Sequence, residues 1–197
     1  MEIRGCELVW FSPVNDARLP DELDGLYIGG GYPEASVEAL SANETMLDSI
    51  RQFAQTDRPI YAECGGLMYL SEGLETLDGQ RHPLVGLLHS WTRLQEKRKM
   101  LGYVEIALNE DSLWGARGDV LRGHEFHYSE LIGDPADAPG WKPVYALKRR
   151  RSEEITPEGF QSQNILASYA HIHYGSRPRA VERFISNCTA ANAGDRP

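Results

Sequence analysis

The stretch Ile60-Tyr-Ala-Glu-Cys-Gly-Gly-Leu-Met-Tyr-Leu70 places a single cysteine between an apolar run and a helical pattern. Residues 60–62 are typical of a short buried strand, and residues 67–71 indicate the start of a helix. A cysteine at such a turn presents its sulfur at the carboxyl end of a strand, where the helix N-terminus favours a thiolate. Cys64 is therefore a candidate nucleophile, and a buried inert cysteine beside a glycine turn is the alternative.

Glycines lie on both sides of this candidate site. Gly65 and Gly66 let the backbone come close to a ligand, and the N–H of Gly65 can face a developing oxyanion. A second run, Gly29-Gly30-Gly31, follows the apolar residues Leu26–Ile28, a second predicted buried strand. It matches neither phosphate-binding glycine motif, so it predicts either a ligand-facing loop or an ordinary turn. Because ligands bind at the carboxyl ends of parallel strands, we expect both glycine runs at one sheet edge.

The composition is that of a globular protein. The chain has 197 residues, 41% of them hydrophobic and 25% charged, which predicts one domain over residues 1–190 and a flexible tail over 191–197. The net charge of −9 argues against nucleic acid or an anionic membrane as a partner. Three scattered cysteines suit a reducing compartment, so we expect a cytoplasmic protein. We find no apolar run of membrane-spanning length.

The order of predicted elements indicates an α/β fold. Apolar runs predict strands at Glu7–Phe11 and Leu26–Ile28, and residues 35–55 predict a helix in two pieces with Asn43 as an N-cap. Tyr103–Leu108 alternates apolar and polar residues, as a strand with one wet face does. Strands alternating with helices predict a largely parallel sheet that is covered by helices on both faces.

Histidines near the C-terminus are candidate bases. Residues 165–174 alternate well enough for one strand, in which His171 and His173 share a face. A histidine at a strand end is the usual base for a cysteine nucleophile, and a structural polar residue is the alternative.

A second polar segment lies in the middle of the chain. Here His124, Glu125 and His127 stand within one short run. As a group they are weak candidates for a metal site, because no cysteine or second carboxylate cluster completes one. We therefore predict no metal. A substrate-facing strand or an interface loop is the interpretation that we favour.

Four segments together resemble a known family. They are LYIGGGYPE (26–34), YAECGGLMYL (61–70), GHEFHYS (123–129) and ASYAHIHY (167–174). Their order and spacing look like those of the glutamine amidotransferase domain of cobyrinate a,c-diamide synthases. The resemblance implies a class I glutamine amidotransferase domain with a flavodoxin-like α/β fold.

The resemblance also implies roles for individual residues. Cys64 would attack the side-chain amide of glutamine, and His171 would activate the thiol and protonate the departing ammonia. The N–H of Gly65 and one N–H from Gly30 or Gly31 would bind the oxyanion. The ammonia would pass to a synthetase domain, which uses ATP and Mg to activate the a and c carboxylates of the corrinoid. No cofactor is expected in this domain itself.

Two departures from the wider class stand out. Many class I domains carry a glutamate two residues after the base, and His173 occupies that position here. The group that orients the base is then unidentified, and Glu125 and His127 are candidates for it or for contacts with glutamine.

The second departure is that these 197 residues contain no P-loop, so the N-terminal synthetase domain and the first strand of the fold are expected to be missing. Alternatives are an amidotransferase for another acceptor, such as sirohydrochlorin or a cell-wall substrate, or an inactive truncated remnant. A homodimer is a further expectation, since a missing strand leaves a sheet edge to fill.

Overall fold

The computed structural model describes residues 5–97, 100–150 and 152–194. Its strands are β1 (Leu26–Ile28), β2 (Ile60–Glu63), β3 (Ser71–Glu75), β4 (Arg81–Pro83), β5 (Leu88–Leu94), β6 (Met100–Leu108), β7 (Val120–His127), β8 (Ser129–Ile132), β9 (Lys142–Arg149), β10 (Ile155–Ser162), β11 (Ile165–Ser168) and β12 (His171–Ile172). Its helices are α1 (Val37–Ala42), α2 (Glu44–Ala54), α3 (Gly65–Leu70) and α4 (Pro178–Gly194). Within these ranges no helix has the length and apolar character needed to cross a membrane.

The strands form two sheets. The larger has eight strands in the order β1-β2-β11-β10-β9-β6-β7-β12, and the smaller has the order β4-β3-β5-β8. The α/β fold class is as predicted, but the expectation of a largely parallel sheet is wrong in detail. In the large sheet, parallel pairing joins β1 to β2 and β2 to β11, and the other pairs are antiparallel. Consecutive strands such as β9 and β10 form hairpins, which need no helical crossover.

Helices cover both faces of the parallel part of the sheet, as predicted. Along β2, Ile60 and Ala62 point into the core that includes α1, α2 and α3, whereas Tyr61 points into the core that includes α4. All four residues of β2 are buried. The carboxyl end of this central strand, where Cys64 follows, is therefore held rigidly between two packed layers.

Helix α2 begins where the sequence predicted. The Asn43 side chain accepts a hydrogen bond from the N–H of Met46 at 3.4 Å. The same side chain donates to the carbonyls of Pro13 and Asp16, both at 2.8 Å, and so attaches the preceding loop. The apolar face of this helix is buried and comprises Met46, Leu47, Ile50 and Phe53.

The predicted strand at Glu7–Phe11 is wrong. These residues are irregular, and Leu8, Val9 and Trp10 are exposed, Trp10 by 86%. An apolar run becomes a strand only where a neighbouring strand pairs with it, and no described strand pairs with this segment.

The predicted strand over residues 165–174 is interrupted. It is divided into β11, which pairs with β2, and β12, which pairs with β7. The break lets the chain change partners and brings β12 to the end of the sheet that carries β7. The second strand ends at Ile172, so His173 lies beyond it and is exposed. Helix α4 continues past the expected boundary at residue 190 to Gly194, and residues 195–197 lie outside the described residues.

Candidate active site

Cys64 lies at a sharp turn between β2 and α3. Its backbone has φ 49° and ψ −103°, a strained conformation for a residue other than glycine. Its N–H donates to the Ser168 carbonyl at 2.7 Å, and its Sγ lies 3.4 Å from the Phe126 carbonyl oxygen. The residue is only 6% exposed. Contacts with two further strands thus hold the thiol at the carboxyl end of β2.

The two glycine runs meet at this thiol. A Cβ on Gly65 would lie 2.6 Å from the carbonyl oxygen and 2.8 Å from the nitrogen of Gly31. A Cβ on Gly30 would collide with Cε1 of the His171 imidazole. The absence of side chains at Gly30 and Gly65 therefore lets the glycine loop, the nucleophile turn and the imidazole pack directly against one another.

The base candidate His171 contacts an acidic residue that the sequence prediction missed. Its Nδ1 lies 3.7 Å from Oε2 of Glu63, the last residue of β2. The neighbouring Cys64 and Glu63 side chains raise the pKa of His171 to about 10, against the opposing effect of burial. The imidazole thus lies between a thiol and a carboxylate, the order found in cysteine-based triads.

Glu63 is fixed by hydrogen bonds. Oε2 accepts from the Tyr27 hydroxyl at 2.7 Å, and Oε1 accepts from the Tyr61 hydroxyl at 3.0 Å and the Ile172 N–H at 2.9 Å. Burial by itself raises the pKa of Glu63. The nearby His171 imidazole and the hydrogen bonds from Tyr27, Ile172 and Tyr61 outweigh burial, and the net pKa lies below the ordinary value.

His171 is also stacked on His124, its partner in the pairing of β12 with β7. The two imidazole centroids are 4.7 Å apart and the rings are 8° from parallel. Burial lowers the pKa of His124, and the positive charge of His171 lowers it further, while Glu63 opposes both. His124 therefore supports one face of the base, with the charged form of its own ring disfavoured.

The other proposed supporting residues have contacts of their own. Glu125 is buried and pairs with Arg149 through two hydrogen bonds, at 2.8 and 3.0 Å. His127 stacks on Tyr169 at 4.0 Å. Since His124 and His127 are an odd number of positions apart on β7, they point to opposite faces, which separates the two histidines considered as metal ligands. Glu125 and the exposed His173 thus lie apart from the contact that His171 makes.

A narrow crevice opens over the cysteine. It has a cavity volume of about 20 Å³, room for about one water molecule. Its lining consists of Gly31, Tyr32, Glu34, Cys64, Met68, Leu94, Phe126, His127, Tyr128 and Ser129. The carboxylate of Glu34 is partly buried there, and burial raises its pKa. Among the described residues no cationic side chain pairs with Glu34.

The sequence does carry a signal that Glu63 has a role at the site. The apolar strand 60–62 ends in a charged residue directly before the nucleophile, and buried charges are rare unless paired. The sequence does not show that His171 is the partner of Glu63, because that contact depends on the pairing of β12 with β7.

The fold places the chain in a recognisable class. A solved glutamine amidotransferase has a TM-score of 0.61 and 15% identity, covering 86% of this chain and 81% of its own. The structure of PurLQS from Thermotoga maritima has a TM-score of 0.60 and 15% identity, covering 88% and 82%. At such identities the likeness concerns the fold alone. That fold is the flavodoxin-like α/β fold of class I glutamine amidotransferases.

Sequence comparison then defines the family. The CobB/CobQ-like glutamine amidotransferase domain matches residues 1–179, and the chain belongs to this family. It is 50% identical over 188 residues to a cobyrinate a,c-diamide synthase of Syntrophotalea carbinolica, covering 95% of this chain and 41% of that protein. It is 44% identical over 184 residues to the same-named protein of Leptospira interrogans, covering 93% and 40%. The chain thus spans about 40% of the length of these curated relatives.

Proposed function

We propose that this domain is a glutaminase that hydrolyses glutamine through a thioester on Cys64. The ammonia would serve the ATP-dependent amidation of the a and c carboxylates of cobyrinate in cobalamin biosynthesis. The observation that supports this most directly is the meeting of Cys64, His171 and the two glycine runs at one sheet edge. The names of the relatives supply the acceptor.

The first step forms a carbon–sulfur bond. Nδ1 of His171 faces Glu63, and the raised pKa of the imidazole lets Nε2 hold the proton that comes from the Cys64 thiol, which leaves the sulfur as a thiolate. The sulfur then attacks the side-chain amide carbon of glutamine. The carbonyl oxygen becomes an oxyanion, which accepts hydrogen bonds from the N–H groups of Gly65 and Gly31. Helix α3 begins at Gly65, and the first N–H groups of a helix have no partner within the helix.

The second step releases ammonia and then glutamate. The tetrahedral intermediate collapses as His171 returns its proton to the leaving nitrogen, so that ammonia departs and the thioester remains. A water molecule then gives a proton to His171 and attacks the thioester carbon. Collapse of the second intermediate expels the sulfur, which regains the proton from His171. Glutamine and water become glutamate and ammonia, and the enzyme is regenerated.

Glu34 is placed to recognise the other end of glutamine. The α-ammonium of a bound glutamine carries a positive charge, and Glu34 contributes an unpaired carboxylate to the crevice over Cys64. Burial of a carboxylate is costly unless a cation pairs with it, so the site favours such a ligand. Because the crevice holds only about one water, the exposed rim residues Tyr32 and Tyr128 would move aside when glutamine enters.

A partner would bind the molecule that accepts the ammonia. The curated relatives are more than twice as long as this chain, so a synthetase domain or subunit is proposed to supply the remaining function. This sequence contains no G-x-x-x-x-G-K-[ST] motif, so ATP and Mg would bind to the partner. The corrinoid would likewise reach the ammonia through the partner.

The test uses a diazo-ketone analogue of glutamine, which alkylates a thiol positioned for attack on the amide. Intact mass and peptide mapping report the site, with Cys64→Ser as the control and Cys6 and Cys188 as internal reference thiols. Ammonia release from glutamine is measured in parallel, with and without the synthetase portion of a relative.

One adduct on Cys64, with ammonia release that Cys64→Ser abolishes, supports the proposal. An adduct that forms only after the synthetase portion is added also supports it and adds that the partner opens the crevice. The absence of an adduct in both conditions overturns it and identifies an inactive domain. Amidation of cobyrinate by the complex, rather than of sirohydrochlorin, supports the proposed acceptor.

A further inference from the structure

We propose that Glu63, the residue directly before the nucleophile, is the positioning residue for His171 and replaces the carboxylate that many class I domains place two residues after the base. This inference rests on the proposed glutaminase function. It follows from the approach of Glu63 Oε2 to His171 Nδ1 at 3.7 Å and from the bonds that hold the carboxylate there.

The surroundings of Glu63 consist of donors. Two tyrosine hydroxyls and one backbone N–H already donate to its oxygens. A fourth donor, the Nδ1–H of His171, faces Oε2. Only an ionised carboxylate can accept from every direction, because a protonated acid or an amide would turn a donor toward another donor. The site therefore selects a charged group beside the imidazole.

The carboxylate has little freedom to move. The Tyr27 and Tyr61 rings stack with centroids 5.7 Å apart and planes 8° from parallel. The Tyr61 ring is fully buried against Trp114 at 4.7 Å, so both hydroxyls approach Glu63 from fixed positions. The Glu63 side chain itself is 4% exposed. Such packing restricts rotamers, which is what a residue that orients another needs.

The bond to Ile172 links the carboxylate to the strand that carries the base. Ile172 follows His171 in β12, and its N–H donates to Glu63 Oε1. Glu63 thus touches both the imidazole and the backbone beside it. A separation of 3.7 Å is longer than a hydrogen bond, and such contacts in unliganded sites shorten when substrate binds.

Other residues are less suited to this role. The carboxylate of Glu125 is taken by Arg149. The His173 side chain follows the end of β12 and is exposed. Glu63 by contrast fixes the tautomer that carries hydrogen on Nδ1 and leaves Nε2 for Cys64, while its charge stabilises the imidazolium formed during the reaction.

The test compares Glu63→Gln and Glu63→Asp, with Glu105→Gln on the exposed side of β6 as the matched control. The imidazole pKa and tautomer of His171 are read by nitrogen-15 NMR in the full chain carrying Cys64→Ser, so that the thiol makes no contribution. The signal is assigned by its loss in His171→Ala. Steady-state glutaminase kinetics are measured in the Cys64 background.

The expected result has three parts. Glu63→Gln lowers the pKa of His171 by about 1 to 2 units and depletes the Nδ1–H tautomer. It lowers kcat by about 100-fold with little change in KM, because Glu63 lies outside the lining of the crevice. Glu63→Asp keeps the charge, so it should recover part of the His171 pKa and part of kcat. Glu105→Gln should change neither the pKa nor kcat.

An unchanged pKa and tautomer in folded Glu63→Gln would overturn the proposal, whatever happened to the rate. If Glu63→Gln does not fold, Tyr27→Phe removes one bond to Oε2 and should lower the pKa of His171 by a smaller amount. No change in this variant would then overturn the proposal. The NMR titration needs no turnover, so a chain that fails to react with glutamine still decides the Glu63 question separately.

Discussion

Glu63 Oε2 lies 3.7 Å from Nδ1 of His171, and Glu63 is the immediate neighbour of Cys64 in the chain. One strand end thus provides both the nucleophile and the carboxylate that faces its base. The arrangement couples the two functions, because any shift of β2 moves Cys64 and Glu63 together against β12. This coupling favours keeping the three groups aligned through the reaction.

The first prediction concerns the base. His171→Ala is expected to lower the rate of glutamine hydrolysis by about 10²- to 10⁴-fold, because it removes the group that carries the proton. His173→Ala should change the rate by less than about twofold, since this side chain is exposed beyond the end of β12. Ammonia release from glutamine measures both rates, and alkylation of Cys64 by the diazo-ketone reports the reactivity of the thiol in each variant. The reverse ranking would transfer the role of base to His173.

The second prediction concerns the packing of the glycine loop on the imidazole. Gly30→Ala should displace His171, because the new methyl group collides with Cε1 of the ring. Gly29→Ala is the matched control: its methyl group would lie 3.7 Å from the Tyr27 hydroxyl, an ordinary contact. We expect the alkylation rate of Cys64 to fall at least about tenfold in the first variant alone, as misplaced catalytic groups lose rate steeply. Equal rates in the two variants would refute this packing role.

Sequence patterns predicted the local part of this structure well. The Asn43 cap, the apolar face of α2 and the turn at Cys64 depend on neighbours within a few residues, and so leave a local signature. The alternation in Tyr103–Leu108 likewise corresponds to a strand with one exposed face. In each case the residue types and their spacing suffice to determine the element.

Long-range pairing was the part that could not be predicted. The apolar run at Glu7–Phe11 looks like a strand but has no partner among the described strands. The interruption after Ser168 depends on which strands lie nearby, and so does the meeting of Glu63 with His171. The pairing of Glu125 with Arg149 could not be predicted for the same reason, since it arises only when β7 and β9 lie on either side of β6.

The third prediction concerns substrate recognition. Glu34→Gln removes the negative charge from the crevice, so it should raise KM for glutamine by about 10- to 100-fold while changing kcat little. Glu38→Gln, an exposed substitution in the first turn of α1, is the control. Steady-state kinetics with glutamine test both. Unchanged KM in Glu34→Gln would show that another group binds the α-ammonium.

The fourth prediction follows from a second buried carboxyl. Glu158 is buried and accepts from the Ser168 hydroxyl and the Tyr169 N–H, both at 2.6 Å. Burial raises the pKa of Glu158 to about 7, with the bonds from Ser168 and Tyr169 opposing it. The folded state therefore binds this proton more tightly than the unfolded chain, whose glutamate has its ordinary pKa.

The sign of the pH effect follows from proton binding. Between the ordinary pKa and about pH 7 the folded state holds the proton that the unfolded state has lost. The contribution of Glu158 to the free energy of unfolding is therefore fully present below this window, and about 3 kcal/mol of it is lost as pH rises through the window. His171, whose pKa is also raised, loses its contribution over a higher range that ends near pH 10.

Glu158→Gln should remove the loss of unfolding free energy that occurs between the ordinary glutamate pKa and about pH 7. Its neutral amide can accept from Tyr169 and donate to the Ser168 hydroxyl, so no charge needs to be buried at any pH. We expect the variant to match the wild type near pH 5 and to exceed its free energy of unfolding by about 1 kcal/mol or more at pH 8. Urea unfolding at several pH values measures the difference. A constant difference across the range would show that Glu158 does not titrate there.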